Sequence, residues 1–528
     1  MDPNRPGEEL REQCGIGDAR IVSPHPDEVY LHVGAGEFGA ACLALHTKLH
    51  SPVMTYFAVD EREKRGVFAL HCAFLSRERA AWCVVSTEVP GANPRIVSIA
   101  RDIYSSSLFE REIAEMFGIE FPGNPDLRRL RLHDEVWPEG AYPLRRDFRL
   151  PAAGMGTGGA YRFKEVEGEG IFDVPVGPVH AGIIGHGHFR FNVAGEPIIN
   201  LQARLGFTHR GVEKLFEERS PEDAVALAER VAGDSAFAHG AAFCGAAEKL
   251  RGLMVPERAR VIRAVFLELE RMYNHIADAG GIATDVGFGY PAALASVIKE
   301  ALLALNRRLT GSRYLRGVNA VGGVRADLDE AGGRDILASL DAVEKDFRAL
   351  KGMLFSNISF MDRVDRTGIL HRNTAVDLGI VGPAARASGI HLDMRETFAG
   401  VYGRVKFKVV TREEWDVLAR LNVRVEEFEE SARMVREFLA VMPRGEILAS
   451  DAGVARGAGC GLGCVEGWRG PVLYWVALGG TGAIERCKVT DPSFHNWPGL
   501  TYAVLGNIIP DFPLCNKSFN LSYSGNDL

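Results

Sequence analysis

VPERARVIRAVFLELERMYNH, residues 255–275, is the stretch that decides the fold class of this 528-residue chain. A helix is predicted to begin near Pro256, because proline is tolerated in the first turn of a helix. The apolar side chains that follow recur at helical spacing, at Val261, Val265, Leu269 and Met272. Such a stripe is typical of a long helix that packs against other helices.

Further helices are predicted on both sides of this one. The sequence SPED at 220–223 is a strong helix start, with a capping hydroxyl, a proline at the first position and carboxylates near the positive end of the helix dipole. Other helices are predicted over 292–309, 334–355 and 412–441. We therefore expect residues 171–528 to form a mainly α-helical bundle domain with β-rich ends.

Residues 1–150 show a different pattern, in which short β-branched or aromatic runs alternate with turns. Strands are predicted over 29–33, 53–59, 66–75 and 80–89, and those that follow the first are expected to be consecutive antiparallel strands. A helix over 107–118 is predicted to end at Gly118. This part is a small α/β domain. The glycine-rich segment 151–170 is predicted to be a linker, so the fold class of the whole chain is α+β.

Composition and charge exclude several classes of protein. The net charge of −8 provides no basic field for binding nucleic acid. The nine cysteines form no CxxC pair, so we predict neither a disulfide framework nor a cysteine metal site, and Cys460 and Cys464 are interpreted as structural thiols. We find no secretory signal and no apolar stretch of the roughly 18 residues that cross a bilayer. A cytoplasmic location is expected.

The motif GAGEFG at 34–39 follows a predicted strand, and Asp60 ends another strand further on. This order matches a dinucleotide-binding fingerprint. No further βαβ units follow, however, and a doubly wound sheet needs them. A glycine-rich loop without a nucleotide is favoured, and nucleotide binding stays the alternative.

The segment 121–148 combines prolines and aromatic residues with five arginines, at 128, 129, 131, 145 and 146. Arginines in a fixed, extended segment are available as bidentate partners for carboxylates. We interpret the segment as a docking strap, with a solvated loop as the alternative.

The sequence GPVHAGIIGHGHFRF, residues 177–191, places His180, His186 and His188 on a glycine-rich hairpin. Three histidines are compatible with a metal site, but no cysteine or helical carboxylate pair accompanies them. A polar loop facing a cavity and purely structural histidines are the other two interpretations.

Two groups of charged residues are predicted to lie in the bundle domain. Glu268, Arg271 and His275 share one helix face, which indicates a structural ion-pair ladder. Glu466 and Arg469 are close in sequence and are candidates for a buried charge pair.

Several segments together resemble a known family. DIYSSSLFEREIAEMFGIEFPGNPDLRRLRL (102–132) followed by YPLRRDF (142–148) resembles the small, 30-kDa-type hydrophilic subunit of respiratory complex I and its hydrogenase relatives. Five further segments resemble the large, 49-kDa-type subunit: 177–191, 255–275, LGFTHRGVEKL (205–215), GPAARASGIHLDMRE (382–396) and VEGWRGPVLYW (465–475). The fusion of both is similar to hydrogenase-4 and formate-hydrogenlyase-type energy-converting hydrogenases.

The resemblance implies a nickel–iron site held by four cysteines, in an R-x-C-G-x-C motif and a D-P-C-x-x-C motif. Here the first motif reads RVAGDS at 230–235 and the second reads DPSFHN at 491–496. The four ligand positions hold Ala232, Ser235, Ser493 and Asn496, none of which supplies a thiolate. We therefore expect no metal in this chain and no hydrogenase activity. The residues after Asn496, which maturation removes from nickel hydrogenases, are expected to be retained.

The resemblance also implies a quinone site of the complex I type, with a histidine in an H-G-x-x-R loop and a tyrosine. His186 fits the histidine position, whereas the tyrosine position falls on Gly233. The glutamate of the E-P-G-H-F-R loop of hydrogenases is missing too. A quinone is therefore the candidate cofactor, although only the histidine of its usual binding site is present.

From this resemblance we expect the large hydrophilic subunit of a membrane-bound, complex-I-like oxidoreductase, with electron transfer coupled to ion translocation and no nickel–iron centre. The alternative is a scaffold without redox activity. The implied partners are a small subunit that carries an iron–sulfur cluster and antiporter-like membrane subunits, at the cytoplasmic side of the membrane. The candidate site residues, as proton relay or headgroup ligands, are His180, His186, Arg230, Asp234, Arg386, Asp393 and Glu466.

Overall fold

The computed structural model describes residues 5–149, 159–181, 184–450 and 458–528. It shows an N-terminal α/β domain with a five-stranded sheet, followed by a helix bundle with three small sheets. The α+β fold class is therefore confirmed. Residues 151–158 of the predicted linker lie outside the described residues, and 159–170 form neither helix nor strand. The predicted domain bounds stay predictions.

Within residues 5–149, the N-terminal domain contains four α-helices and five strands. The helices are α1 (Arg5–Gln13), α2 (Phe38–Leu49), α3 (Arg62–Arg65) and α4 (Ser107–Phe117). The strands are β1 (Arg20–His25), β2 (Glu28–His32), β3 (Thr55–Glu61), β4 (Val67–Ser76) and β5 (Ala81–Pro90). The strand order in the sheet is β1-β2-β5-β4-β3.

The C-terminal domain is larger and mainly helical. Its helices are α5 (Val212–Phe216), α6 (Pro221–Ala228), α7 (Ala236–Arg251), α8 (Glu257–Asp285), α9 (Gly289–Thr310), α10 (Glu330–Ser356), α11 (Ile358–Val364), α12 (Arg372–Asp377), α13 (Gly382–Ala387), α14 (Met394–Thr397), α15 (Val417–Ala440), α16 (Pro492–Ala503), α17 (Phe512–Phe519) and α18 (Tyr523–Asp527). Its strands are β6 (Ile171–Val176), β7 (His188–Ala194), β8 (Ile198–Arg204), β9 (Asn319–Ala320), β10 (Gly323–Val324), β11 (Gly459–Gly467), β12 (Gly470–Leu478) and β13 (Ile484–Thr490).

The predicted N-terminal elements are present, and the strands after β2 pair as predicted. Helix α4 ends where expected, with Gly118 in the left-handed conformation at φ 70°. Strands β3, β4 and β5 pair as consecutive antiparallel strands, as expected, and β5 also pairs with β2 in parallel. Strand β1 was not predicted, because Pro24 interrupts its pattern. Its position at the sheet edge is where a proline is tolerated.

The bundle elements follow their apolar patterns. Helix α8 runs for 29 residues from Pro256, its N-cap, and packs against α9 and α15. The Ser220 hydroxyl caps α6 by accepting the Asp223 N–H at 3.2 Å, as the capping pattern predicts. Residues 229–235 separate α6 from α7. This interruption positions part of the candidate site described below.

The glycine-rich motif at 34–39 is a loop that leads from β2 into α2. The Glu37 carboxylate accepts the Gly34 N–H at 3.3 Å, at a backbone donor that a phosphate would otherwise use. This contact supports the interpretation of a loop without a nucleotide.

The segment 121–148 docks on the chain's own two domains. Arg131 donates to Glu112 of α4 and to the Asn526 carbonyl oxygen, and Arg146 reaches Glu485 at 3.0 Å. His133 Nε2 lies 2.7 Å from the Leu205 carbonyl oxygen. The strap interpretation is therefore supported, with both domains of this chain as its binding surface.

A buried interface joins the two domains. Tyr30, Phe57 and Trp82 of the N-terminal sheet form one apolar cluster with Leu462 and Trp475 of the second domain. Charged residues are buried beside it: the Lys488 ammonium of β13 contacts Glu112 of α4 at 2.5 Å and Glu213 of α5 at 3.2 Å. The interface therefore fixes the position of β11–β13, which carry part of the candidate site.

Candidate functional site

The predicted histidine hairpin precedes β7. His180 is half-buried, and its Nε2 lies 2.8 Å from the Gly187 carbonyl oxygen, so its ring closes the hairpin. His186 is exposed and forms no hydrogen bond with other described residues. Tyr523 of α18 packs on the hairpin: a Cβ atom at Gly185 or Gly187 would come within 2.7 Å of its ring. Of the candidate pair, only His186 is free to meet a ligand.

The loop between α6 and α7 carries the first replaced metal-binding motif. Ala232 and Ser235 are buried, whereas Arg230 and Gly233 are exposed. The Asp234 carboxylate, 40% exposed, accepts two hydrogen bonds of 2.6 Å from the Arg469 guanidinium. Arg469 also donates to the Ser235 hydroxyl at 3.2 Å. An arginine–aspartate ion pair therefore lies at this motif, and Arg230 faces away from the core.

The second replaced motif begins α16. Asp491 accepts a hydrogen bond from the ring of His239, whose other nitrogen lies 2.9 Å from the Tyr474 hydroxyl. The Ser493 hydroxyl accepts the Ser522 N–H at 2.9 Å. Asn496 forms two hydrogen bonds with the backbone of Val381, so its side chain is committed to a structural role.

A segment that no sequence motif singled out, residues 520–525, contacts the 230–235 loop. Arg469 donates to the Asn520 carbonyl oxygen, and Arg210 bridges the carbonyl oxygens of Val231 and Ser524, both at 3.0 Å. Ser522 and Gly525 have the two-residue spacing of the second cysteine motif, which is the signal that could have identified this segment. Neither residue offers a thiolate.

The residues at these positions do not fit a nickel–iron centre. Nickel and low-spin iron require soft thiolate ligands, and the positions 232, 235, 493, 496, 522 and 525 hold only Ala, Ser, Asn and Gly. Their polar groups are hydrogen-bonded within the chain, for example Ser235 to Arg469 and Ser493 to Ser522. Among the described residues no group of three or more His, Cys, Asp or Glu side chains is arranged to hold a metal.

A second set of polar residues forms what we call the ionic cluster, in the core of the bundle domain. Its eight members come from α8, α13, α15, β11 and the start of α14, and each is at most 4% exposed. They are Glu268, Arg271, His275, Arg386, Asp393, Arg395, Glu427 and Glu466. Three of the seven candidate residues, Arg386, Asp393 and Glu466, are thus brought together.

Arg386 is at the centre of the ionic cluster. Its guanidinium donates to Glu427 at 2.7 Å and to Glu466 at 2.8 Å, and lies 3.4 Å from Asp393. Arg395 binds Asp393 through both of its oxygen atoms and reaches Glu268 at 3.1 Å. One arginine therefore holds three carboxylates from three different elements.

The predicted ladder on α8 is more branched than expected. Glu268 and Arg271 form an ion pair at 3.1 Å, but His275 binds Glu427 of α15 at 2.9 Å. The expected pair of Glu466 with Arg469 is wrong. Glu466 lies near the end of β11 and binds Arg386, whereas Arg469 lies in the turn after β11 and binds Asp234.

The carboxyl groups of the ionic cluster divide into two kinds. Burial opposes ionisation of Glu427, but Arg386 and His275 hold its pKa well below the ordinary value. Burial also opposes ionisation of Asp393, but Arg395 and Arg386 lower its pKa. In contrast, burial and the nearby Asp393 raise the pKa of Glu466 to about 7. Glu466 is therefore the carboxyl group whose charge changes near neutral pH.

The cysteines of β11 have no metal-binding partners among the described residues. Cys460 lies 3.8 Å from the Tyr30 hydroxyl, and burial raises its pKa to about 11. Burial also raises the pKa of Cys464 well above the ordinary value. Both groups stay protonated near neutral pH, in keeping with structural thiols.

Three family models match consecutive parts of this chain. They describe the 30-kDa subunit of respiratory-chain NADH dehydrogenase (residues 31–153), nickel-dependent hydrogenase (210–278) and the 49-kDa subunit of respiratory-chain NADH dehydrogenase (285–458). Together with the fold, they define the class of the chain, the hydrophilic subunits of complex-I-type oxidoreductases. No helix among the described residues is both long and apolar enough to cross a membrane.

The most informative relatives are fused subunits. Formate hydrogenlyase subunit 5 of Escherichia coli is 33% identical over 89% of this chain and 84% of its own length. Hydrogenase-4 component G of the same organism is 33% identical over 89% and 83%. The C/D subunit of NADH-quinone oxidoreductase from Rhodopseudomonas palustris is 30% identical over 82% and 83%. The chain therefore belongs to the family of fused hydrophilic subunits that formate hydrogenlyase and hydrogenase-4 share with complex I.

A solved structure supports the same assignment. A chain of the membrane-bound sulfane sulfur reductase, an archaeal respiratory membrane complex, matches with a TM-score of 0.64 and 25% identity. The match covers 68% of this chain and 99% of that chain. The relatives thus include proteins named for a hydrogenase, a quinone oxidoreductase and a sulfur reductase.

Proposed function

We propose that this chain is the large hydrophilic subunit of a membrane-bound, complex-I-like oxidoreductase that works without a nickel–iron centre. It exchanges electrons with a quinone or another diffusible carrier, and this electron transfer is coupled to ion translocation. One observation carries the proposal: every position that could correspond to a metal-binding cysteine holds Ala, Ser, Asn or Gly. No thiolate is available there to hold nickel or iron.

The family and the spacing of the cysteines support two kinds of partner subunit. Among the described residues no cysteine lies in a group suited to an iron–sulfur cluster, so we place the cluster on a separate small subunit. Antiporter-like membrane subunits would move the ion. The chain would bind them peripherally, at the cytoplasmic face of the membrane, as hydrophilic subunits of complex-I-type assemblies do.

The carrier is expected to approach the histidine hairpin. His186 is exposed at its tip, and no other described residue occupies its ring nitrogens. The tyrosine of a complex I quinone site is replaced by Gly233. The similarity to a sulfane sulfur reductase makes a sulfur compound a second class of carrier to test beside quinones.

A His186→Asn substitution tests the carrier site. If the imidazole donates a hydrogen bond or a proton to the carrier, its loss should lower the rate of carrier-dependent electron transfer about 100-fold. The assay uses the complex extracted with its partner subunits and follows oxidation of a quinol or reduction of polysulfide. The matched control is His50→Asn, an exposed histidine of the N-terminal domain whose left-handed backbone, at φ 48°, asparagine tolerates. An unchanged rate in His186→Asn would remove the hairpin from the carrier site.

A second candidate function is a scaffold that transmits conformational change without redox chemistry. It is favoured by the Asp234–Arg469 ion pair and the hydrogen-bonded serines at the replaced metal motifs. The two candidates differ in one response. A redox subunit loses electron transfer when the hairpin is altered while the complex stays assembled, whereas a scaffold retains every redox property and loses only assembly or ion transport.

A further inference from the structure

The ionic cluster contains more carboxylates than cations. Its three arginines, Arg271, Arg386 and Arg395, face four carboxyl groups. His275 does not balance the difference, because burial and the nearby Arg424 and Arg271 lower its pKa. A buried cluster with one uncompensated negative charge is costly, and taking up one proton is the usual way in which a protein avoids this cost.

The contacts show which carboxyl group is least compensated. Glu268 accepts hydrogen bonds from Arg271, Arg395, the Tyr402 hydroxyl and the Ser431 hydroxyl. Glu466 has a single arginine contact, with Arg386 at 2.8 Å, and its other oxygen accepts the Met394 N–H at 3.1 Å.

Asp393 and Glu427 are better compensated than Glu466. Arg395 binds both oxygens of Asp393, and Arg386 and His275 each bind one oxygen of Glu427. The Arg386 guanidinium that serves Glu466 is therefore shared among three carboxylates. The surplus negative charge falls on Glu466.

We propose that the ionic cluster is a proton-binding site and that the Glu466 carboxyl group carries the proton. Uptake converts the carboxylate and one solvent proton into a neutral carboxylic acid, and release reverses this without any other reactant. Glu466 joins β11 to α13 and to the start of α14, through Arg386 and the Met394 N–H. Loading and unloading therefore change the contacts between these three elements.

The other charged members of the ionic cluster lie on four elements other than β11. Arg386 lies on α13, Asp393 and Arg395 at the start of α14, Arg271 on α8 and Glu427 on α15. Arg271 also donates to the backbone oxygen of Glu466 at 2.7 Å. Burial and Asp393 raise the pKa of Glu466, while Arg386 and Arg271 oppose the rise, and the balance lies at about 7. Exchange of the proton therefore falls near neutral pH.

In a complex that couples electron transfer to ion movement, this proton is available to the coupling step. That use rests on the proposed function, whereas proton binding itself does not. The site is therefore tested in the full chain, purified with the subunits that accompany it, without carrier or substrate.

Glu466→Gln is the informative variant, because glutamine has the shape of the protonated acid. A group whose folded-state pKa is raised stabilises the fold below its unfolded-state pKa, and this contribution is lost as the pH rises through the folded-state value. The wild-type melting temperature should fall between about pH 5 and about pH 8, and Glu466→Gln should lose much of this slope. The comparison variant is Glu270→Gln, since burial raises the pKa of Glu270 to about 8 at a separate place, where Phe237 and Ala238 donate to it. This variant should lose the share of the slope that Glu270 contributes up to about pH 8 and keep the share of Glu466.

An infrared titration of the wild type gives a second measurement, independent of how well a variant folds. The carbonyl band of a buried protonated carboxyl group should disappear near pH 7, and this band should be missing from Glu466→Gln and present in Glu270→Gln. Glu270 should contribute its own band, which disappears near pH 8 and remains in Glu466→Gln. A band that disappears near pH 7 and persists in Glu466→Gln, or a pH slope equal to that of the wild type, would overturn the proposal. Absence of carrier-dependent electron transfer from the wild-type complex, with the proton site intact, would contradict only the proposed function.

Discussion

Replacing Arg386 with methionine should destabilise the chain by about 3–5 kcal/mol, the largest effect that we expect from a single substitution. Glu427 and Glu466 would lose a direct hydrogen bond, and Asp393 a cation 3.4 Å away, in a region that water does not reach. Breaking a buried ion pair by removing one partner costs more than the pair contributes, because the remaining charge stays buried. Denaturant unfolding of the purified full chain measures the loss.

Two further variants make this expectation specific. Arg386→Lys keeps the charge but cannot donate to Glu427 and Glu466 in the fork geometry of a guanidinium, so it should recover only part of the stability. Arg334→Met removes an arginine that is 71% exposed and 4.0 Å from Glu330, and should change the stability by about 0.5 kcal/mol or less. If Arg386→Met were as stable as Arg334→Met, the ionic cluster would not stabilise the bundle.

The second large effect is expected at the domain interface. Lys488→Met should cost about 3 kcal/mol, because Glu112 and Glu213 would both lose the ammonium group between them. Glu112 retains Arg131 and Glu213 retains Arg486, so the effect should be smaller than at Arg386. The two domains should also separate more readily, which limited proteolysis of the segment between them would detect as faster cleavage.

The matched control for this substitution is Lys351→Met, which removes a lysine whose side chain is 38% exposed and is paired with Glu429. It should change the unfolding free energy by about 0.5 kcal/mol or less and leave the proteolysis rate unchanged. A second variant, Lys488→Met with Glu112→Gln, removes one of the two carboxylates and should recover part of the loss. No recovery would mean that packing of the lysine stem, and not its charge, holds the interface.

Local patterns in the sequence were sufficient to predict four strands of the N-terminal sheet and the long helices of the bundle. Helix α8 was predictable from its apolar stripe, and α6 from the capping sequence at 220–223. Strand β1 was not, because Pro24 breaks the alternating pattern and only the edge position in the folded sheet accommodates it. The parallel pairing of β2 with β5 depends on chain topology, and a local sequence pattern carries no information about topology.

The candidate site was predictable only in part, because its charges pair across long sequence separations. Arg386, Asp393 and Glu466 stood out through the family resemblance, but Glu427 did not, although it binds both Arg386 and His275. Helical spacing relates Glu268 to Arg271 and carries no information about a partner on another helix. Arg469 illustrates the same limit, since its partner is Asp234 and not the neighbouring Glu466.

The histidine hairpin shows how burial changes an interpretation. From the sequence alone, His180 and His186 carry equal weight. The structure distinguishes them, because the ring of His180 binds the Gly187 carbonyl oxygen while His186 is exposed. The 520–525 segment is a similar case: its contact with the 230–235 loop through Arg210 and Arg469 becomes visible only in the folded chain.

The most direct test of the account is a metal and redox analysis of the complex, gently extracted from the membrane with its partner subunits. Nickel and iron content would be measured, followed by low-temperature EPR before and after adding a quinol or polysulfide, and by an assay of hydrogen uptake. We expect iron–sulfur signals that respond to one of these carriers, with nickel far below one atom per chain and no hydrogen uptake. Stoichiometric nickel accompanied by hydrogen uptake would contradict this expectation.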